Sequence, residues 1–171
     1  HRAVVLELEI ELERRELSAP LRHLGGEQVP LAEARASVLA TRRQKGMVLD
    51  PADHDTWSAG SFFTNPVVES ALADAIEREV GEEGMPRFPQ PDGKEKLSAA
   101  WLIERAGFPR GFPGEEAPAR LSTKHTLALT NRGRATADDI AELARRVQRG
   151  VEKRFGVALV PEPVWVGLPP A

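Results

Sequence analysis

Ser58-Ala59-Gly60-Ser61-Phe62-Phe63-Thr64-Asn65-Pro66 is the stretch around which the rest of the chain is organised. Gly60 has no Cβ, so Ala59-Gly60 lets the backbone approach a neighbour closely. Pro66 turns Asn65 away from the α region, so the run reads as extended chain or turn. The two phenylalanines form an apolar anchor worth on the order of a few kcal/mol when buried. A hydroxyl held on a small-residue turn beside such an anchor suits a donor aimed at a ligand. The same residues also describe a tight turn in which the phenylalanines are ordinary core and Ser61 caps backbone. Residue physics alone favours that second reading.

Composition bounds the answer. The 171 residues suffice for one domain with a core. A net charge of −3 provides no basic field for nucleic acid. The chain has no cysteine, which excludes disulfides, thiolate chemistry and cysteine-based metal sites within it. No apolar run is long enough to span a bilayer, and no signal-peptide pattern is present, so no membrane partner is expected. The opening His1-Arg2-Ala3-Val4-Val5-Leu6 lacks an initiator Met and reads as cut from something longer. With 14 Pro and 14 Gly, substantial loops are expected between elements.

At the amino terminus, Leu6, Leu8, Ile10 and Leu12 alternate with Glu7, Glu9 and Glu11. Residues 4–12 therefore read as a half-buried strand that needs a sheet to join. Residues 31–44 read as a helix that follows Pro30, with Leu31, Ala34, Val38 and Leu39 on one face and Gly46 as stop. Arg42, Arg43 and Lys45 suit its carboxy-terminal dipole. Asp53-His54-Asp55 reads as an exposed polar loop rather than a metal site, because adjacent residues rarely point at one ion. A second helix is expected over residues 70–80, stopped by Gly81. The breaker-rich residues 82–93 read as loop. Ser98 is the expected cap of a short helix through Arg105, with Lys96 just before it. A cation there opposes the helix dipole, which suits either an external anion or plain solvation. Residues 108–119 read as a long loop and residues 121–130 as a strand. Thr136 opens the best helix, with Ile140, Leu143, Ala144, Val147 and Val151 as its core stripe and Gly156 as its end. Residues 157–166 read as an edge strand or bend, since Pro161 and Pro163 cannot serve a central ladder.

Several motifs share one family pattern. The Ser58 to Pro66 run occurs with Arg42-Arg43-Gln44-Lys45 and Leu49-Asp50-Pro51. Further along come Lys96-Leu97-Ser98-Ala99-Ala100-Trp101-Leu102-Ile103-Glu104, Leu127-Ala128-Leu129-Thr130-Asn131 and Pro161-Glu162-Pro163-Val164. In order and spacing they resemble the carboxy-terminal half of the UDP-N-acetylenolpyruvoylglucosamine reductase family, a group of cytoplasmic flavoenzymes of peptidoglycan synthesis. The amino-terminal flavin-binding half has no counterpart in this chain.

The resemblance implies an α+β fold: a small, mostly antiparallel sheet with helices packed on it. Residues 1–17 would be the terminal strand of the flavin-binding region, and residues 18–171 the substrate-binding domain. It implies FAD as cofactor, held by the other half, with NADPH as cosubstrate, UDP-N-acetylglucosamine enolpyruvate as substrate, and a monomer when complete. Ser61 would donate a proton and Glu162 would assist near the substrate carboxylate and enol. Asn65, Lys45, Arg42 and Lys96 match substrate-binding positions. Many members carry a tyrosine that closes over the diphosphate. This chain has no Tyr, and His23 occupies the place. The fragment alone is expected to lack reductase activity. The alternatives are a domain that grips a UDP-sugar without catalysis, and a purely structural interaction domain.

Overall fold

A computed structural model of the chain describes residues 6–81 and 84–168. Val4 and Val5, at the start of the expected amino-terminal strand, lie outside them. The chain divides into two compact units, residues 1–42 and residues 43–171.

In the first unit, residues 6–12 form no strand. Leu6, Leu8, Ile10 and Leu12 stand 65–92% exposed. Alternation supplies an apolar face but not a ladder; a strand needs an edge to receive its N–H and C=O groups, and these residues pair with none of the described ones. Farther on the chain doubles back, Leu17 bridging Pro30 and Leu21 bridging Glu27. Buried Ser18 locks the return: its N–H donates to the Val29 carbonyl at 2.8 Å and its hydroxyl accepts from the Val29 N–H at 3.2 Å. Helix α1 then occupies Leu31–Gln44. Its apolar face is thinner than its spacing implied, with Ala34 buried but Leu31 and Val38 exposed.

The second unit contains, in chain order, β1 (Ser58–Ser61), β2 (Val67–Glu69), α2 (Ser70–Val80), β3 (Arg87–Pro89), β4 (Lys94–Leu97), α3 (Ala99–Arg105), β5 (Ala119–Leu121), β6 (Ala128–Asn131) and α4 (Ala137–Phe155). The α+β expectation holds, with the strands divided between two small antiparallel sheets of order β1-β6-β5 and β2-β4-β3. Helix α4 packs on α3, β5 and β6. Phe63, Ile76, Leu97, Leu102, Ile103, Leu121, Val147 and Val151 fill the core. No helix among the described residues is long and apolar enough to cross a membrane.

Local chemistry sets the helix ends. Thr136 and Asp139 form a capping box at the start of α4, and the Ser98 hydroxyl accepts from the Trp101 N–H at α3. The expected α4 stripe is buried from Leu143 to Val151, and Phe155 extends it, while Ile140 remains partly exposed.

Two expectations are corrected by the observed strands. Residues 121–130 are not one strand: β5 ends at Leu121 and β6 begins at Ala128, and the fully buried Ser122 turns the chain between them, its hydroxyl accepting from the N–H groups of Lys124 and His125 at 3.0 and 3.2 Å. The supposed loop 82–93 holds β3, whose Arg87 reaches Glu95 at 2.6 Å, Asp74 at 2.7 Å and Glu77 at 2.9 Å. These charged hydrogen bonds, that to Glu95 foremost, raise the Arg87 pKa and tie the β3–β4 hairpin to α2. Lys96 lies just before the Ser98 cap of α3, as expected, and within β4, opposite Val67 and Phe88. Of the two expected alternatives for residues 157–166, the bend is the one observed. Pro161 bridges Phe63, and only the N–H of Glu162, at 2.9 Å from the Phe62 carbonyl, is available between two prolines.

One packing detail yields a prediction. A Cβ added at Gly150, inside α4, would lie 2.2 Å from the Phe108 ring. Gly→Ala ordinarily gains about 1 kcal/mol in a helix interior. Here overpacking of about 1–3 kcal/mol opposes it. Gly150→Ala is expected to lower the urea unfolding midpoint; a raised midpoint would mean that Phe108 moves aside freely.

Candidate active site

Ser61 ends β1, one residue after Gly60, which has φ +82°. That left-handed conformation favours glycine, and it accompanies the irregular register between Ser58↔Thr130 and Ser61↔Ala128. The kink leaves Ser61 half-buried while Phe62 and Phe63 enter the core at 5% and 2% exposure. Their rings meet edge to face with centroids 5.2 Å apart, and the Phe62 N–H donates to the Leu127 carbonyl at 2.7 Å. The phenylalanines are core, as the second reading has it, and the Ser61 hydroxyl faces a side chain rather than a backbone group.

That partner is His125, whose Nε2 lies 3.3 Å from Ser61 Oγ. The sequence reading missed it. Its signal was a polar run, Ser122-Thr123-Lys124-His125, interrupting a segment read as strand. Burial pushes the His125 pKa down, and the charges of Lys45 and Arg110 lower it further, so the imidazole is neutral at pH 7. Arg110 also faces Glu104 at 3.5 Å, and Glu104 accepts from the Thr126 hydroxyl.

Asp55 holds the His125 turn in place. Its carboxylate, 8% exposed, accepts from the Thr123 N–H at 3.0 Å and the Thr123 hydroxyl at 2.6 Å, and faces Arg132 at 3.3 Å. Gly46 crosses this residue so closely that a Cβ would lie 2.8 Å from the Asp55 carbonyl oxygen. Asp53-His54-Asp55 is thus not a uniformly exposed loop: Asp53 pairs with Lys124, His54 packs edge-on against Trp57, and Asp55 is buried. Burial alone would raise the Asp55 pKa, but the Thr123 hydrogen bonds and Arg132 outweigh it and hold it below the ordinary value. The ionised form therefore stabilises the fold at neutral pH, and that contribution is lost as pH falls through and below the ordinary carboxylate range. Asp55→Asn is expected to cost about 1–3 kcal/mol at pH 7 and to flatten this acid-side loss, read from urea midpoints across pH. An unchanged acid-side profile would count against it.

The other expected residues are distributed unevenly. Glu162 is exposed, and its backbone lies beside that of Phe62, so the chain brings the Ser61 and Glu162 segments together. Lys45 is exposed and close enough to act on His125. Asn65 Oδ1 accepts from the Ala99 N–H at 3.0 Å, capping α3. Lys96 is half-buried; its strand neighbour Leu97 donates to the Pro66 carbonyl at 2.9 Å, which places it beside Asn65-Pro66. His23 and Arg42 belong to the first unit. There His23 Nε2 lies 2.8 Å from Ser37 Oγ, and Arg42 is in the last turn of α1.

The fold and site define an α+β domain that presents a hydroxyl–imidazole pair within the field of two cations. Over residues 50–166 the chain matches the family model described as UDP-N-acetylenolpyruvoylglucosamine reductase, C-terminal domain. It is 59% identical to UDP-N-acetylenolpyruvoylglucosamine reductase 2 of Corynebacterium glutamicum, with 98% of this chain and 49% of that one covered. It is 56% identical to the reductase of Saccharopolyspora erythraea, covering 96% and 49%, and 53% identical to that of Mycobacterium tuberculosis, covering 96% and 48%. The chain belongs to this carboxy-terminal domain family, and it spans about half the length of the curated relatives it matches.

Proposed function

We propose that this chain is the substrate-binding, proton-donating part of a reductase that converts UDP-N-acetylglucosamine enolpyruvate to UDP-N-acetylmuramate for peptidoglycan. The observation that carries the reading is Ser61, fixed by Gly60 and the buried Phe62–Phe63 pair, with its hydroxyl at an imidazole that itself feels the charges of Lys45 and Arg110. Reducing an enolpyruvyl ether needs a hydride at one carbon and a proton at the next. The species between them is a carbanion alpha to a carboxylate, and a positioned acid lowers the barrier to it. Ser61 supplies that proton and Glu162 assists. A donor held at the hydroxyl favours the negative charge left on its oxygen. Lys45, Arg42, Lys96, Asn65 and His23 are proposed to bind the anionic substrate, and residues 1–17 to belong to the flavin-binding region.

Flavin does not fit these residues by themselves. None of the four described helices opens on a Gly-rich strand-to-helix turn whose N–H groups could cradle a dinucleotide diphosphate. FAD and NADPH are therefore assigned to the other half of a chain of the relatives' length, and the hydride comes from outside these residues. The test is NADPH oxidation dependent on the enolpyruvyl substrate, in such a full-length chain and in this fragment. Turnover by the full-length chain and none by the fragment is expected. Turnover by the fragment at the full-length rate, or none by a folded, flavin-loaded full-length chain, would overturn the reading.

A further inference from the structure

We infer that His125 is the positioning residue of Ser61: its Nε2–H donates to the Ser61 oxygen and leaves the Ser61 proton free to point at the substrate carbon. This rests on the reading of Ser61 as proton donor. A hydroxyl that must give up its proton cannot spend that proton on a neighbour. It needs a donor at its lone pair instead, and the group facing it at 3.3 Å is an imidazole nitrogen. The tautomer with hydrogen on Nε2 meets that need, while the opposite tautomer would draw the Ser61 proton away.

The surroundings fit this role. The turn that carries His125 is fixed at both ends of its peptide unit, its N–H by the Ser122 hydroxyl and its carbonyl by the Ala128 N–H at 2.9 Å. The neighbouring Thr123 is held by buried Asp55. The charged groups around the ring are Lys45, Arg110 with its partner Glu104, and the Lys124–Asp53 pair on the next residue. Lys45 and Arg110 disfavour a positive charge on the ring. In the step itself, the Ser61 O–H bond breaks and a C–H bond forms on the carbanion. The alkoxide left behind accepts the His125 N–H bond more strongly than the hydroxyl did, and water later returns its proton. His125 loses no proton.

The experiment uses a full-length chain and follows the half-reaction that reduces the enolpyruvyl group. His125→Leu is expected to slow it about a hundredfold, the effect of deleting one donor to a developing oxyanion. His125→Gln, which keeps an N–H, should recover most of the rate. In a Ser61→Ala background, His125→Leu should add little further loss, because its effect passes through the hydroxyl. An equal loss in both backgrounds would mean that His125 only supports the fold, and overturns the inference. A parental rate for His125→Leu beside a slow Ser61→Ala would overturn it too. A parental rate for Ser61→Ala would instead overturn the reading of Ser61 itself. Should His125→Leu not fold, nitrogen NMR of the parent imidazole decides: hydrogen on Nε2 at pH 7 is expected, and a bare Nε2 with hydrogen on Nδ1 overturns the inference.

Discussion

Ser61→Ala in a full-length chain is expected to leave the NADPH-dependent half-reaction intact and to slow reduction of the enolpyruvyl group by on the order of a thousandfold, about 4 kcal/mol of barrier. The substitution keeps the backbone and nearly the volume. The ladder around Ser61 uses main-chain groups, and the Phe62–Leu127 hydrogen bond does not involve the hydroxyl. The loss is therefore chemical, with no acid left at the carbanion. Ser61→Cys should retain more activity than Ser61→Ala, since a thiol still supplies a proton. Glu162→Gln keeps the size but removes the charge, and should damage the same half-reaction. Stopped-flow measurement of that step separates the outcomes. A Ser61→Ala rate equal to the parent's would reduce Ser61 to a turn residue.

Phe63→Ala should cost about 3–5 kcal/mol of folding stability. Phe63 is 2% exposed in the core, stacks edge-on with Phe62 and bridges Pro161 through its backbone. It thus anchors the segment of Ser61 and the segment of Glu162 together. Domains commonly have about 5–15 kcal/mol in all, so the loss is a large share. Phe63→Leu, which keeps most of the apolar volume, should cost markedly less. Urea unfolding of the isolated domain measures both. A Phe63→Ala loss below about 1 kcal/mol would show that neighbouring side chains collapse into the space and that the anchor lies elsewhere.

The helices were legible because their ends are local events. Ser98, Thr136, Gly81 and Gly156 act on backbone groups within about one turn of themselves, so the caps of α2, α3 and α4 follow from short windows. The identity of the family was legible too, carried by whole motifs rather than by any residue's physics. Short strands were not. The alternation of residues 6–12 needs an edge, which no sequence pattern provides. β3 exists through Arg87, whose partners come from α2 and β4.

By itself, then, the sequence determined four helices, their stops and an α+β class. Tertiary structure alone decided what Ser61 faces. His125 is 64 residues away, and it reaches the hydroxyl because β1 pairs with β6 and Ser122 turns the chain between β5 and β6. It likewise decided that the Asn65 carbonyl oxygen caps α3 and that Asp55 is buried beneath the His125 turn. Propensity and periodicity act over a few residues along the chain, whereas these contacts form only once distant segments have closed on one another.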